Sequence, residues 1–271
     1  MIYIPQYKTK MYTPRMRHLK VNMTYICDLK CPNCNRATQH CPSTSHENVS
    51  LLTWSNMLEE CGKQGKIWTR ITLTGGEPSI HPEFNGFVDA MANYKHKYNP
   101  DCIITVYTYH HPKFFYKIEK ALADHPYLDV KDTSKDKPKI HKIATYMAPI
   151  DDPRYGPNHF YVGCQSGHLC GLGFDNSGFY HCSIAAGLAR IFNLQHLAIK
   201  NIEDATRDNL LAQYQPLCSL CGFYHNPKPH GSEEPMSEVW VEALRKFKER
   251  RLAGMQKGDD KGPKQTLPPP G

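Results

Sequence analysis

Cys27, Cys31 and Cys34 fall within eight residues, in the stretch Cys27-Asp28-Leu29-Lys30-Cys31-Pro32-Asn33-Cys34, directly after a segment, 19–26, that reads as a β-strand. No fourth cysteine follows at the spacing of a second Cys-x-x-Cys pair. A structural zinc site closes with four ligands, commonly two such pairs. Thiolates at this density select zinc or an iron–sulfur cluster. A four-iron cube held by three thiolates keeps one iron open to another ligand, as a catalytic zinc site keeps one open position.

The chain has eleven cysteines among 271 residues, an odd number that cannot pair completely. No apolar run is long enough to span a membrane, and the first twenty residues carry no apolar signal core, so a cytoplasmic protein without a membrane partner is expected. Stable disulfides are rare in that compartment, which turns the cysteines toward metal chemistry. Cys61 and Cys102 stand inside apolar patterns and read as small core residues. The formal charge of +7 gathers in the N-terminal arm and the tail and ignores the negative charge that metal-bound thiolates add. It supports a nucleic-acid partner only weakly.

Segments 19–26, 67–74, 102–109, 127–131 and 142–150 read as strands, with helices over 52–65, 82–98 and 112–124 between them. Thr53 or Ser55 is the expected cap of the first helix. Alternation of this kind predicts parallel β/α units. The strands are too few for a closed eight-stranded barrel. The expected fold class is α/β: a partial (β/α) barrel of about five to six parallel strands, followed by a small β-hairpin/α module. The expected boundaries are an arm over 1–18, the barrel over 19–155, the second module over 156–252 and a disordered tail over 253–271. A hairpin turning at Asn176-Ser177-Gly178 and a helix near 236–252 mark that module.

Cys-x-x-x-Cys-x-x-Cys after the first strand of a partial barrel resembles the radical S-adenosylmethionine (SAM) enzymes. Gly75-Gly76-Glu77-Pro78 at the end of the second strand resembles that family's second motif. Two glycines let a backbone approach a ligand closely, and a carboxylate at a strand end can accept from an ammonium. The resemblance implies a 4Fe-4S cluster on Cys27, Cys31 and Cys34 whose open iron chelates SAM. Reductive cleavage then yields a 5′-deoxyadenosyl radical that abstracts a substrate hydrogen. It implies SAM contacts from Gly75, Gly76, Glu77 and Pro78, and from Asn33, where the family commonly has an aromatic residue. Thr108 and Ser134, at the ends of the third and fourth strands, are further candidates. Lys131 and Thr133 face the same rim.

A second group comprises Cys164, Cys170, Cys182 and the pair Cys218-Ser219-Leu220-Cys221. A late Cys-x-x-Cys is a metal signal, and a zinc ribbon is its plainest reading. Around a hairpin it is similar to the twitch domain, a short form of the SPASM domain, which binds an auxiliary 4Fe-4S cluster. The resemblance favours Cys164, Cys182, Cys218 and Cys221 as ligands, with Cys170 as the alternate. It implies oxidation of a small hydroxylated or amino metabolite, the auxiliary cluster accepting an electron. A flavodoxin- or ferredoxin-like donor would supply the reducing electron. Modification of a peptide or a nucleotide, and a non-catalytic zinc module, are the alternatives. Asp152 and Arg154, on the loop between the two cysteine groups, are the candidate substrate-binding and catalytic residues.

Overall fold

Period-two alternation sets the sheet. In β1 (His18–Thr24) Leu19, Val21 and Met23 are fully buried, and Lys20, Asn22 and Thr24 point to the opposite face. The pattern repeats in β2 (Arg70–Gly75), with Ile71 and Leu73 against Thr72 and Thr74. It repeats again in β3 (Ile103–Thr108), with Ile104 and Val106 against Thr105 and Tyr107. The apolar face packs under α1 (Leu51–Lys63), α2 (Phe84–Tyr98) and α3 (Phe115–Asp124), where Trp54, Phe84, Phe87 and Ile118 complete one core cluster. The other face is polar. A parallel sheet covered on both sides reads as continuous apolar strands. This one instead leaves a hydrophilic concave surface.

The computed structural model describes residues 11–31, 33–133, 145–152, 160, 162, 164–224 and 236–256. Among these, six strands form one sheet in the order β4-β3-β2-β1-β5-β6. Strands β1 to β4 (Asp129–Asp132) are parallel. The expected strand over 142–150 does not form in its described part. Residues 145–148 are irregular and Pro149–Asp151 is a short 3-10 turn. Pro149 has no N–H to give a ladder. The neighbouring polar groups are spent elsewhere, with Ala148 N donating to Ser237 Oγ at 3.0 Å and Ile150 N to Ser219 O at 3.2 Å. The fifth parallel strand is β5 (Leu172–Asp175), on the other side of β1, with Leu19 opposite Leu172. The predicted hairpin is present: β6 (Gly178–Tyr180) returns antiparallel to β5 and extends the same sheet.

The cap of α1 lies earlier than expected. Ser50, in extended conformation, accepts from Thr53 N through its hydroxyl. After the hairpin, α5 (Ser183–Phe192) is buried almost all round and begins at Cys182, whose Sγ accepts from Ala185 N at 3.4 Å. Short helices follow, α6 (Arg207–Ala212) and α7 (Tyr214–Cys218), and then α8 (Glu238–Gln256). Counting in chain order, the turn Ser166–Cys170 is α4. Residues 11–17 of the arm lie against this part of the chain, Arg15 N donating to Gly167 O at 3.1 Å. The expected arm over 1–10 and the tail beyond 256 lie outside the described residues.

Arg190 on α5 locks the segment after the first cysteines. Its guanidinium, 4% exposed, donates to both Glu47 carboxylate oxygens at 2.6 and 2.9 Å and to the carbonyls of Cys41 and Pro42. It lies 4.8 Å from the ring centroids of both Tyr25 and Phe247. The hairpin is tied to the end of β1 by a buried pair, Tyr25 Oη donating to Asp175 Oδ2 at 2.7 Å.

Burial pushes the Asp175 carboxyl up to about 6, even with Tyr25 and Ser177 N donating to it. The folded state therefore holds a proton that the unfolded chain has released above its ordinary value of 3.8. That contribution to stability is present below pH 4 and is lost as pH rises through about 6. Asp175→Asn should remove this slope. Urea unfolding at pH 4 and pH 7 should show wild type losing about 2 kcal/mol relative to the variant. Parallel pH profiles would contradict the assignment.

Candidate active site

The end of β2 is stitched to the chain leaving β1. Gly76 N donates to Thr24 O at 2.7 Å and Glu77 N to Ile26 O at 2.9 Å. A Cβ on Gly75 would stand 2.1 Å from Thr24 O, and one on Gly76 would stand 2.1 Å from Ile26 O. Gly75 also has φ +136°. Both glycines are thus demanded by contact with the neighbouring backbone, a closer constraint than approach to a ligand.

Glu77 is 1% exposed. Its Oε1 accepts from Thr108 Oγ1 at 2.6 Å, Ser79 Oγ at 2.7 Å and Ser79 N at 3.1 Å. Its Oε2 accepts from Tyr109 N at 2.9 Å, which leaves that oxygen capacity for a further donor. One carboxylate therefore joins the ends of β2 and β3. Thr108 also accepts from His110 N, so its hydroxyl is engaged within the protein. Pro78 is buried at the start of a 3-10 turn.

Cys27, Cys31 and Cys34 line one cavity of about 210 Å³ together with Gly75, Gly76 and Glu77. Lys20, Arg36, Tyr107, Tyr109 and Thr133 complete its polar wall. Burial pushes the Cys27 thiol up to about 12, the thiol of Cys34 adding to the effect, so a metal binding here must displace a proton. Asp28 anchors the span between the first two cysteines, accepting from Tyr109 Oη and lying 3.1 Å from His111 Nε2. Thr145 Oγ1 donates to Asn33 O at 2.7 Å and Tyr146 Oη to Cys34 O at 3.1 Å, which fixes the third cysteine. Asn33 sits in the left-handed region, with φ +54°, and its Nδ2 is buried without a hydrogen-bond partner among the described residues.

Of the sequence candidates for this site, Pro78, Asn33 and Thr108 do not line the cavity. Lys131 is exposed and pairs with Asp129 at 2.6 Å. Ser134 lies outside the described residues. Lys20, Arg36 and Tyr109 are cavity residues that the sequence reading did not single out.

A second, apolar cavity of about 30 Å³ is lined by Cys164, Cys182, Cys218 and Cys221. Cys170 is not in its wall. Burial, then neighbouring thiols, raises Cys218 and Cys221 well above the ordinary thiol range. Burial pushes the Cys182 thiol up to about 12. His181, also missed in the sequence, lines the same cavity with Nε2 3.5 Å from Cys218 Sγ. Burial takes its ring down to about 4, so it is neutral. Asp152 is buried and lines neither cavity, and Arg154 lies outside the described residues. Arg36 links the two sites. It donates to Asn22 Oδ1 at 3.0 and 3.1 Å and to the hydroxyl of Ser183, beside Cys182, at 3.0 Å. Among the described residues, no three His, Cys, Asp or Glu side chains converge as they would on a single ion. A four-iron cluster distributes its thiolates over different irons and does not require that convergence.

Residues 21–151 match the family model described as the radical SAM superfamily. Among solved structures, Streptococcus suis SuiB bound to S-adenosylmethionine is 18% identical over 42% of this chain and 24% of its own, with a TM-score of 0.35. The match thus spans about a quarter of the length of SuiB. BtrN in complex with AdoMet and 2-DOIA is 12% identical over 78% of this chain and 93% of its own, with a TM-score of 0.45. BtrN in an open conformation is 13% identical over 83% and 97%, at 0.39. No curated protein matches the chain. Among the described residues, no helix is long and apolar enough to cross a membrane.

Glu77→Ala would leave the donors of Ser79, Thr108 and Tyr109 buried without their acceptor. Each such group costs about 1–3 kcal/mol, so the variant should lose at least ~3 kcal/mol in urea unfolding. Glu77→Gln keeps an acceptor oxygen and should lose markedly less. Equal losses would show that the hydrogen bonds do not carry this junction.

Proposed function

The chain belongs to the radical SAM superfamily through residues 21–151, and from that premise we propose that it cleaves SAM reductively and abstracts a hydrogen atom from a bound substrate. The observation that carries this reading is the common cavity of Cys27, Cys31, Cys34 and the Gly75-Gly76-Glu77 ledge, at the C-terminal ends of parallel strands. The residues fit the group. Three thiols share one wall with the buried Glu77 carboxylate, whose Oε2 has capacity for a further donor. A 4Fe-4S cluster held by Cys27, Cys31 and Cys34 together with SAM would, on one-electron reduction, supply methionine and the 5′-deoxyadenosyl radical.

The chain's own residues then have separable tasks. Cys27, Cys31 and Cys34 serve as thiolate ligands. Glu77 accepts from the SAM ammonium through Oε2, while Ser79 and Thr108 hold the carboxylate in place. Asp28, Tyr109 and His111 hold the cysteine loop against the end of β3.

The finer reading concerns the second site. Cys164, Cys182, Cys218 and Cys221 share one buried wall, which supports a four-thiolate ligand set of the twitch type and leaves Cys170 outside it. A small hydroxylated or amino substrate would give up one hydrogen atom to the radical. It would then give up one proton and one electron, the electron passing to the second site. A flavodoxin- or ferredoxin-like protein supplies the first electron.

The test is 5′-deoxyadenosine formation from SAM and dithionite under anaerobic conditions. The Cys27→Ala/Cys31→Ala/Cys34→Ala variant should form none, and Cys182→Ala should retain it. Wild-type turnover in the triple variant would refute the assignment.

A further inference from the structure

The polar cavity is lined by two cations, half-buried Lys20 and buried Arg36, and neither is in an ion pair among the described residues. Lys20 projects from β1 toward the lumen, level with Thr72 of β2 and, across it, Thr105 of β3. On its other side stands Gly173 of β5, against which the Cys182–Ser183 backbone packs, a Cβ there standing 2.3 Å from Cys182 O. The ammonium lies 4.7 Å from the Tyr107 ring centroid. Among the described residues it has no hydrogen bond and no ion pair. Arg36 is 4% exposed, and its donors reach only neutral oxygens, on Asn22, Asn35 and Ser183. Burying an ammonium away from water is costly unless an opposite charge meets it. A cation–π contact returns only a small part of that cost.

From this arrangement we infer that Lys20, backed by Arg36, forms an anion subsite in the floor of the cavity and that the substrate carries a carboxylate or phosphate which Lys20 binds. The inference rests on the radical SAM reading of the same cavity. SAM has a carboxylate of its own, but the place for it is higher. Lys20 lies four residues before Thr24, roughly 13 Å along a strand at about 3.3 Å per residue. Thr24 is the residue against which Gly75 and Gly76 dock, and the cysteines follow it. An anion on Lys20 is therefore below the cofactor ledge, where a substrate would stand. Tyr107 closes one side of that place. Thr74 and Thr133 are further polar residues of the same cavity wall.

Calorimetric titration of the iron-loaded, SAM-saturated protein with inorganic phosphate and with malonate tests this, glycerol serving as the neutral control. Phosphate or malonate should bind saturably to wild type, and glycerol should not bind. Lys20→Met should weaken the anion by about tenfold or more, and Lys20→Arg should restore most of the affinity. Equal anion affinity in wild type and Lys20→Met overturns the inference. So does a parallel fall in SAM affinity, which would assign Lys20 to the SAM carboxylate. Failure of the underlying reading looks different. In that case the protein would form no 5′-deoxyadenosine while phosphate or malonate binding still depended on Lys20, and the anion subsite would stand without the radical chemistry.

Discussion

The carboxylate of Glu77 is the junction on which the site depends. It is buried at the point where the ends of β2 and β3 meet, and it accepts from Ser79, Thr108 and Tyr109. The backbone just before it is bonded to Thr24 and Ile26, so the same turn also fixes the start of the cysteine loop. A buried charge is tolerated only when its hydrogen bonds are complete. That requirement forces three strand ends into one geometry. The two glycines make the approach sterically possible, because any larger residue would collide with the β1 backbone. Asp28 closes the circle from the other side by receiving Tyr109, the residue after Thr108.

Much of this was legible as local pattern. The cysteine spacing, the glycine pair and the strands before them are short-range signals, and each of the first four strands was expected near where it stands. The features that were missed depend on distant partners. In the described part of the strand expected over 142–150, Pro149 breaks the ladder and Ala148 finds Ser237, far along the chain. Helix α5 was not expected, and nearly every residue of Ser183–Phe192 is buried, with the cavity on one side and β1 on the other. Lys20 was not singled out within its alternating strand. Its meaning depends on which face of the sheet the helices cover, and here they cover the apolar one. His181 is a single residue beside a cysteine, and only the folded chain brings Cys218 against it.

Two sites with different dielectric character result from one sheet. The first opens to a polar lumen with two cations, and the second is a small apolar pocket where burial keeps the thiols protonated in the metal-free chain. Arg36 sits in the wall between them, two residues after Cys34 and hydrogen-bonded to the residue after Cys182. Its fixed charge therefore acts on both sites at once. A metal entering either site would have to displace protons, so its occupancy should rise with pH as well as with the supply of metal.

The most direct measurement of the central claim is the metal content of the anaerobically prepared protein. Two four-iron clusters predict about eight irons and about eight acid-labile sulfides per chain, in a brown protein. Replacing Cys27, Cys31 and Cys34 together should halve both counts. A colourless protein that retains stoichiometric zinc after anaerobic reconstitution with iron and sulfide would contradict the account.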